Sequence, residues 1–231
     1  MSAGTPAVRR PEQVPARPLA PGVTAAEMLN DEHGCRGLHQ RRLRFEGGAT
    51  LTGTAGGRGE AWYVIRGSGV LDAGTAGTVE MAAGTAVWLP SSLGYRCQGE
   101  LEVLVITVRA GEAEQAPVLR VTTLATRPVE RTGDREFRVL LSEGLSITQF
   151  AGMIPPGRAP KHEHTYDEVV HVLAGQGVVH LDDAQTPIGP GTSIYLPPGT
   201  PHCLENTGSE PLQVLGVFHP AGSPAAKRTT S

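Results

Sequence analysis

Residues 168–179 read EVVHVLAGQGVV, and residues 60–71 read EAWYVIRGSGVL. Set one under the other, the glutamate, the valine with the Ile or Leu that follows it, and both glycines coincide. Further on, GTAVWLP from Gly84 and GTSIYLP from Gly191 fall at nearly the same offset. Self-similarity of this kind predicts a tandem duplication of one structural unit. The repeated segments, together with LEVLVITV (101–108) and LQVLGVF (212–218), are short and rich in β-branched and aromatic residues, which suits strands better than core helices. Thirty glycines and 19 prolines punctuate them, so the predicted class is all-β. Each repeated glycine pair is expected to turn a hairpin, where positive φ or close backbone approach is needed. Only TAAEMLNDEH, from Thr24, suggests a helical turn or two.

GEAEQAP (111–117) shifts to small, acidic and proline residues and marks a boundary between halves. The expected organisation is a disordered tail over 1–26, a first unit over 27–112, a second over 113–220 and a loose tail over 221–231. A net charge of −3 from 20 basic and 23 acidic residues, with no long run of either sign, leaves no electrostatic footprint for nucleic acid or an anionic membrane. No apolar run is long enough to span a bilayer, and no apolar segment follows the Arg9–Arg10 pair, so the expectation is a cytoplasmic protein with a small-molecule partner. Cys35, Cys97 and Cys203 are widely spaced and odd in number, and read as reduced thiols.

The two copies diverge where chemistry would occur. PGRAPKHEHTYDE (156–168) places His162, His164 and Glu168 at even spacings, which puts all three on one face of an extended chain. Downstream, PPGTPH is a proline-stiffened turn that fixes where His202 emerges. Three imidazoles and one carboxylate suit a divalent transition metal (Fe, Mn, Ni, Co, Cu or Zn) and offer too few oxygens for calcium. An octahedral ion with four protein ligands keeps two positions open for substrate, water or dioxygen. In the first copy, the positions opposite His162 and His164 fall on or near Thr54 and Gly56, Tyr95 stands opposite His202, and Glu60 alone is retained. Tyr166 shares the ligand parity and is the candidate proton donor, whereas Asp167 and Glu163 have the opposite parity and are expected to face solvent. Asn206, His171, His180 and His219 read as structural. Arg158, Arg138 and Gln149 reach a pocket mouth or decorate the surface.

These residues resemble the two motifs of the cupin superfamily. Gly157, His162, His164, Glu168 and Gly175 meet the first, with four residues instead of five between Gly157 and His162. Gly191, Pro197, Gly199, His202 and Asn206 meet the second. The chain is thus similar to a bicupin with a complete metal motif only in its second half. The resemblance implies two tandem jelly-roll barrels, a single metal held by His162, His164, Glu168 and His202, and a homodimer. It implies a metal-dependent enzyme acting on a small oxygen-bearing organic molecule, with oxygenase-type chemistry slightly favoured and Glu168 able to leave the metal and act as a base. An oxygen-independent isomerase, decarboxylase or lyase is the alternative, and a non-catalytic binding or accessory cupin the second.

Overall fold

The computed structural model describes residues 4–109, 111, 118–182, 184–225 and 228–229. These are almost entirely β, with short 3-10 turns between the strands. No helix among them is long and apolar enough to cross a membrane. They form two compact units. One comprises Val14–Asn30 and Arg36–Arg127, and the other the described parts of Met1–Gln13, Asp31–Cys35 and Pro128–Ser231.

In the first unit the sheet runs Arg120–Thr123, Thr85–Pro90, Gly59–Asp72, Gly94–Val108, Leu38–Phe45, Val23–Leu29, Arg17–Ala20. Thr50–Thr54 pairs with the first half of Gly94–Val108, and Thr78–Ala82 with the second half of Gly59–Asp72. Alternate residues of these strands, such as Trp62 and Val64, Val87 and Leu89, and Val103 and Val105, point inward and make one core.

The second unit repeats the plan in two sheets. One runs Ala7–Arg9, Ser193–Leu196, Asp167–Ala174, Leu212–His219, Thr148–Ile154, Arg135–Leu141, Glu130–Thr132. The other runs Ala184–Ile188, Gly177–Leu181, His202–Asn206, His162–Glu163, Arg228–Thr229, with Gly157–Arg158 also on His202–Asn206. Its aliphatic core includes Val170, Val172, Val179, Ile194 and Val214. A separate aromatic cluster of Phe137, Phe150, Tyr166 and Phe218 lies beside it. This is the jelly-roll plan, two antiparallel sheets closed over one core.

Three expectations are corrected. The repeated glycine pairs turn no hairpin. Gly59–Asp72 runs straight through Gly67 and Gly69 as one bent strand with a register shift between Val64 and Arg66, and in the second unit Gly175 and Gly177 mark the passage from one sheet to the other. Gly67 and Gly175 have φ of +79° and +87°, and a Cβ on Gly67 would collide with the Glu100 carbonyl oxygen. The glycines therefore let a strand kink beside its partner's backbone. Thr24 opens no helix either, because Val23–Leu29 pairs along Leu38–Phe45, and a bulge between Glu27 and Leu29 lets Met28 and Leu29 both be buried.

The disordered first 26 residues are the third. Residues 7–26 contribute Ala7–Arg9, Arg17–Ala20 and most of Val23–Leu29. Ala7–Arg9 pairs with Ser193–Leu196, just as Arg120–Thr123 pairs with the equivalent strand Thr85–Pro90. The leading strand of each repeat thus closes the exposed edge of the other repeat's sheet, and a divide at residue 112 cuts across both exchanges. Most of the sequence boundary, residues 112–117, lies outside the described residues, as do 226, 227, 230 and 231 of the expected C-terminal tail. The described part of that tail is tied down, with the Gly222 N–H donating to Thr148 Oγ1 at 3.2 Å and Arg228–Thr229 pairing with His162–Glu163.

Gly67→Ala should lower stability by about 2–3 kcal/mol, since the side chain meets both a left-handed backbone and the Glu100 carbonyl. Gly47→Ala, also left-handed but with nothing within 4 Å of the new Cβ, should cost about 1 kcal/mol. Urea unfolding of both variants checks this, and equal losses would refute the close-approach explanation.

Candidate metal centre

The register of the second unit assembles the site. His162 lies directly across from His202 on paired strands. Glu168, on Asp167–Ala174, sits between Leu196 and Phe218. His164 follows His162 by two, and its carbonyl accepts the Gly199 N–H at 2.7 Å, which anchors the PPGTPH turn beside the site. All four side chains are buried. The ligand atoms of His162, His164 and His202 lie within 4.8 Å of one another.

Two of the three rings are held in a defined state. His162 Nδ1 is 3.0 Å from the Pro160 carbonyl oxygen and His202 Nδ1 is 2.8 Å from that of Thr200. A carbonyl accepts only from an N–H, so both rings carry Nδ1–H and present an Nε2 lone pair inward. His164 stacks on Tyr166 at 4.8 Å and packs against Phe218 at 5.3 Å. Burial lowers the pKa of His162, and burial together with the charge of His162 lowers His202 to about 4, so both stay neutral at neutral pH.

Glu168 Oε2 is buried without a hydrogen-bond partner. It stands 3.5 Å from His164 Nε2 and 3.7 Å from His202 Nε2, too far for a good hydrogen bond to either. Burial pushes its pKa up to about 8, against the pull of the Arg135 cation.

The donors face a cavity with about 80 Å³ of space for water, lined also by Thr132, Arg135, Glu136, Phe137, Phe150, Ile154, Leu204, Val214 and Phe218. Tyr166, the expected proton donor, is not among the lining residues. Its hydroxyl donates to the Ser223 carbonyl oxygen at 3.2 Å, and its ring supports His164. Asn206 is structural, its amide nitrogen donating to the carbonyls of Ile154 and Glu210. His171 bonds Ser193 and His180 bonds Glu205 away from the cavity. Asp167 accepts from the Tyr195 hydroxyl at 2.6 Å instead of facing water alone. Arg158 donates to Cys203 Sγ at 3.3 Å, Gln149 is fully buried, and neither lines the cavity. Arg135 went unnoticed in the sequence, although the alternation of REFRVLL puts it on the same face as buried Phe137.

The first copy answers its buried glutamate differently. Glu60 accepts from Trp62 Nε1 at 2.9 Å, from the Gly56 N–H and Arg41 Nη2 at 3.2 Å each, and from Thr107 Oγ1 at 3.3 Å. Gly53 faces Tyr95 where the second copy has His162 facing His202, so the alignment on Thr54 is one residue late. A Cβ on Gly53 would lie 2.7 Å from the Tyr95 hydroxyl, so the phenol fills the space of an imidazole. Arg41, Trp62 and Thr107 stand where the second copy has Phe150, Val170 and Phe218, and Tyr95 stands where it has His202.

A model of the Cupin domain family matches residues 151–218, the segment that holds all four donors. An oxalate-binding protein of Thermotoga maritima is 38% identical over 93 residues, covering 37% of this chain and 76% of that protein. An uncharacterized protein of Methanocaldococcus jannaschii is 34% identical over 80 residues, 34% of this chain, and the match spans only 64% of its length. Among solved structures, oxalate decarboxylase of Bacillus subtilis superimposes with a TM-score of 0.78 at 15% identity, covering 96% of this chain and 78% of that one. Ylba from E. coli superimposes with a TM-score of 0.77 at 16% identity, covering 94% and 91%. At such identities these two likenesses speak for the fold alone. With the jelly-roll sheets, the histidine triad and relatives above 30% identity in agreement, the chain belongs to the cupin superfamily.

Proposed function

We propose that the chain is a bicupin whose second unit holds one divalent transition metal through His162, His164, Glu168 and His202, and that it acts there on a small oxygen-bearing organic molecule. The observation that carries this reading is the convergence of four buried donors, one of them an unpartnered carboxylate oxygen, on the floor of a largely apolar cavity. When bound, the metal would supply a Lewis acid for a substrate oxygen. The protein's own part is to keep His162 and His202 neutral by burial, to aim them through the Pro160 and Thr200 carbonyls, and to exclude water with Phe137, Phe150 and Phe218. Glu168 could leave the metal and take a proton from bound substrate. Tyr166 is a positioning residue that holds the His164 ring. Because its hydroxyl hydrogen is engaged by Ser223, chemistry that does not call on a separate side-chain acid fits this cavity best, and an oxygenase is favoured over a decarboxylase or isomerase.

Purified wild type should carry close to one equivalent of metal by mass spectrometry, and the His162→Ala/His202→Ala double variant almost none. Equal content in the two would end the metal reading. Turnover measured under air and under argon separates the reaction classes, with activity unchanged under argon excluding the oxygenase.

A third expectation concerns pH. In the metal-free protein Glu168 keeps its proton up to about pH 8, whereas the unfolded chain releases it near the usual carboxylate value of 4.5. The folded state therefore binds more protons in that window, and stability falls as pH rises through it. Metal-free Glu168→Gln should match wild type near pH 4.5 and exceed it at pH 8 by an amount on the order of a few kcal/mol. With metal the order should reverse. Thermal unfolding in chelator and in added Mn(II) checks both, and a pH-independent difference in chelator would contradict the buried-carboxylate account.

A further inference from the structure

We infer that Arg135 is the anion subsite of the cavity, and that the ligand it selects is a small monocarboxylate with an apolar body and a second oxygen donor. This deepens the metal reading above and rests on it for the second oxygen. The argument starts from the repeat. Hairpin register equates Ala20–Val23 of the first unit with Thr132–Arg135 of the second, so Arg135 stands where the first copy has Val23. Val23 is buried and packed in the first unit's core. Its counterpart is a cation that lines the metal cavity, and its Nε is buried without a hydrogen-bond partner.

The opposite exchange happens one strand away. Arg41 faces Val105 in the first copy, and Phe150 faces Gly216 at the matching register in the second. A Cβ on Gly216 would run into the Phe150 ring, so the missing side chain makes room for it. Thr107 likewise becomes Phe218. The second copy has thus lost the cation that satisfied its glutamate, gained aromatic walls, and gained a cation at a new place. The neighbouring acid Glu136 is engaged by Arg131 at 2.6 Å and does not neutralise it. Arg135 is within electrostatic reach of Asp134 and, less strongly, of Glu168, but Glu168 Oε2 makes no hydrogen bond.

An unpartnered guanidinium nitrogen in a cavity calls for a carboxylate, which it can hold through paired hydrogen bonds. The remaining wall, formed by Phe137, Phe150, Ile154, Leu204, Val214 and Phe218, calls for an apolar body. About 80 Å³ holds roughly half a dozen non-hydrogen atoms, judged by the space one water takes. Oxalate could answer Arg135 and the metal but brings no apolar body to the remaining wall, so it is the poorer fit.

The test uses the full chain loaded with Mn(II) and titrated calorimetrically with 3-methyl-2-oxobutanoate, with 3-methyl-2-butanone, which lacks the carboxylate, and with oxalate. Arg135→Gln should leave metal content unchanged and weaken the oxo acid about 10- to 100-fold, Arg135→Lys should recover part of that loss, and the ketone should bind wild type and both variants alike. Equal oxo-acid affinity in wild type and Arg135→Gln, or tighter binding of oxalate than of the oxo acid, would overturn the proposal. If wild type holds no metal, the metal reading fails by itself. Isobutyrate titrated into metal-free protein then decides the subsite, with weaker binding to Arg135→Gln supporting it and equal binding overturning it.

Discussion

Lone pairs gathered out of water and left unanswered are the constraint around which the second unit is organised. A buried carboxylate oxygen without a partner is costly, and neutral imidazoles must be kept from protonating against it. The chain holds this arrangement mainly with its backbone. Carbonyls of Pro160 and Thr200 set two tautomers, and the Gly199 N–H bonded to His164 anchors the turn that delivers His202. Asn206 ties the end of the same strand to Ile154 and Glu210. The ligand directions follow from the path of the chain, which makes them insensitive to the rotamers of neighbours.

The two repeats are two solutions to one buried glutamate. In the first, Arg41, Trp62, Thr107 and a backbone N–H satisfy Glu60, and Tyr95 fills the remaining space. The carboxylate has four donors, and core packing surrounds it. In the second, matching positions carry Phe150, Phe218 and His202, so the same carboxylate is left with lone pairs for neighbours and a cavity in front of it. Conversion of a core valine into Arg135 completes the contrast. A satisfied interior and an open cavity lined by imidazoles differ here by a handful of exchanges at fixed register.

Closure of the sheets depends on segments that look dispensable. Ala7–Arg9 and Arg120–Thr123 are short and partly exposed, yet each covers the edge of a strand from the other repeat. Without them Ser193–Leu196, the neighbour of Glu168, would present an open edge. The composition of the first residues, rich in proline and arginine, argues for disorder when read locally. Their order comes from pairing with a strand nearly the whole chain away.

Much of the site was legible in the sequence because strand geometry turns even spacing into a shared face. His162, His164 and Glu168 could be grouped by parity, and the proline turn pointed to His202. The duplication was legible too, since Gly67 and Gly175 sit where the backbone tolerates no Cβ. The path of the chain at those glycines was not, because a hairpin turn and a kink between sheets place the same demand on glycine. Nor was Arg135 legible as a cavity cation, or Tyr166 as a support for His164, because which side chains meet depends on strands paired across long separations. Local spacing determined the fold class, the repeat and the grouping of His162, His164, Glu168 and His202 as candidate donors. Only the tertiary structure decided which carboxylate has partners, which cation lacks one and which strand closes which sheet, because those depend on register between distant strands.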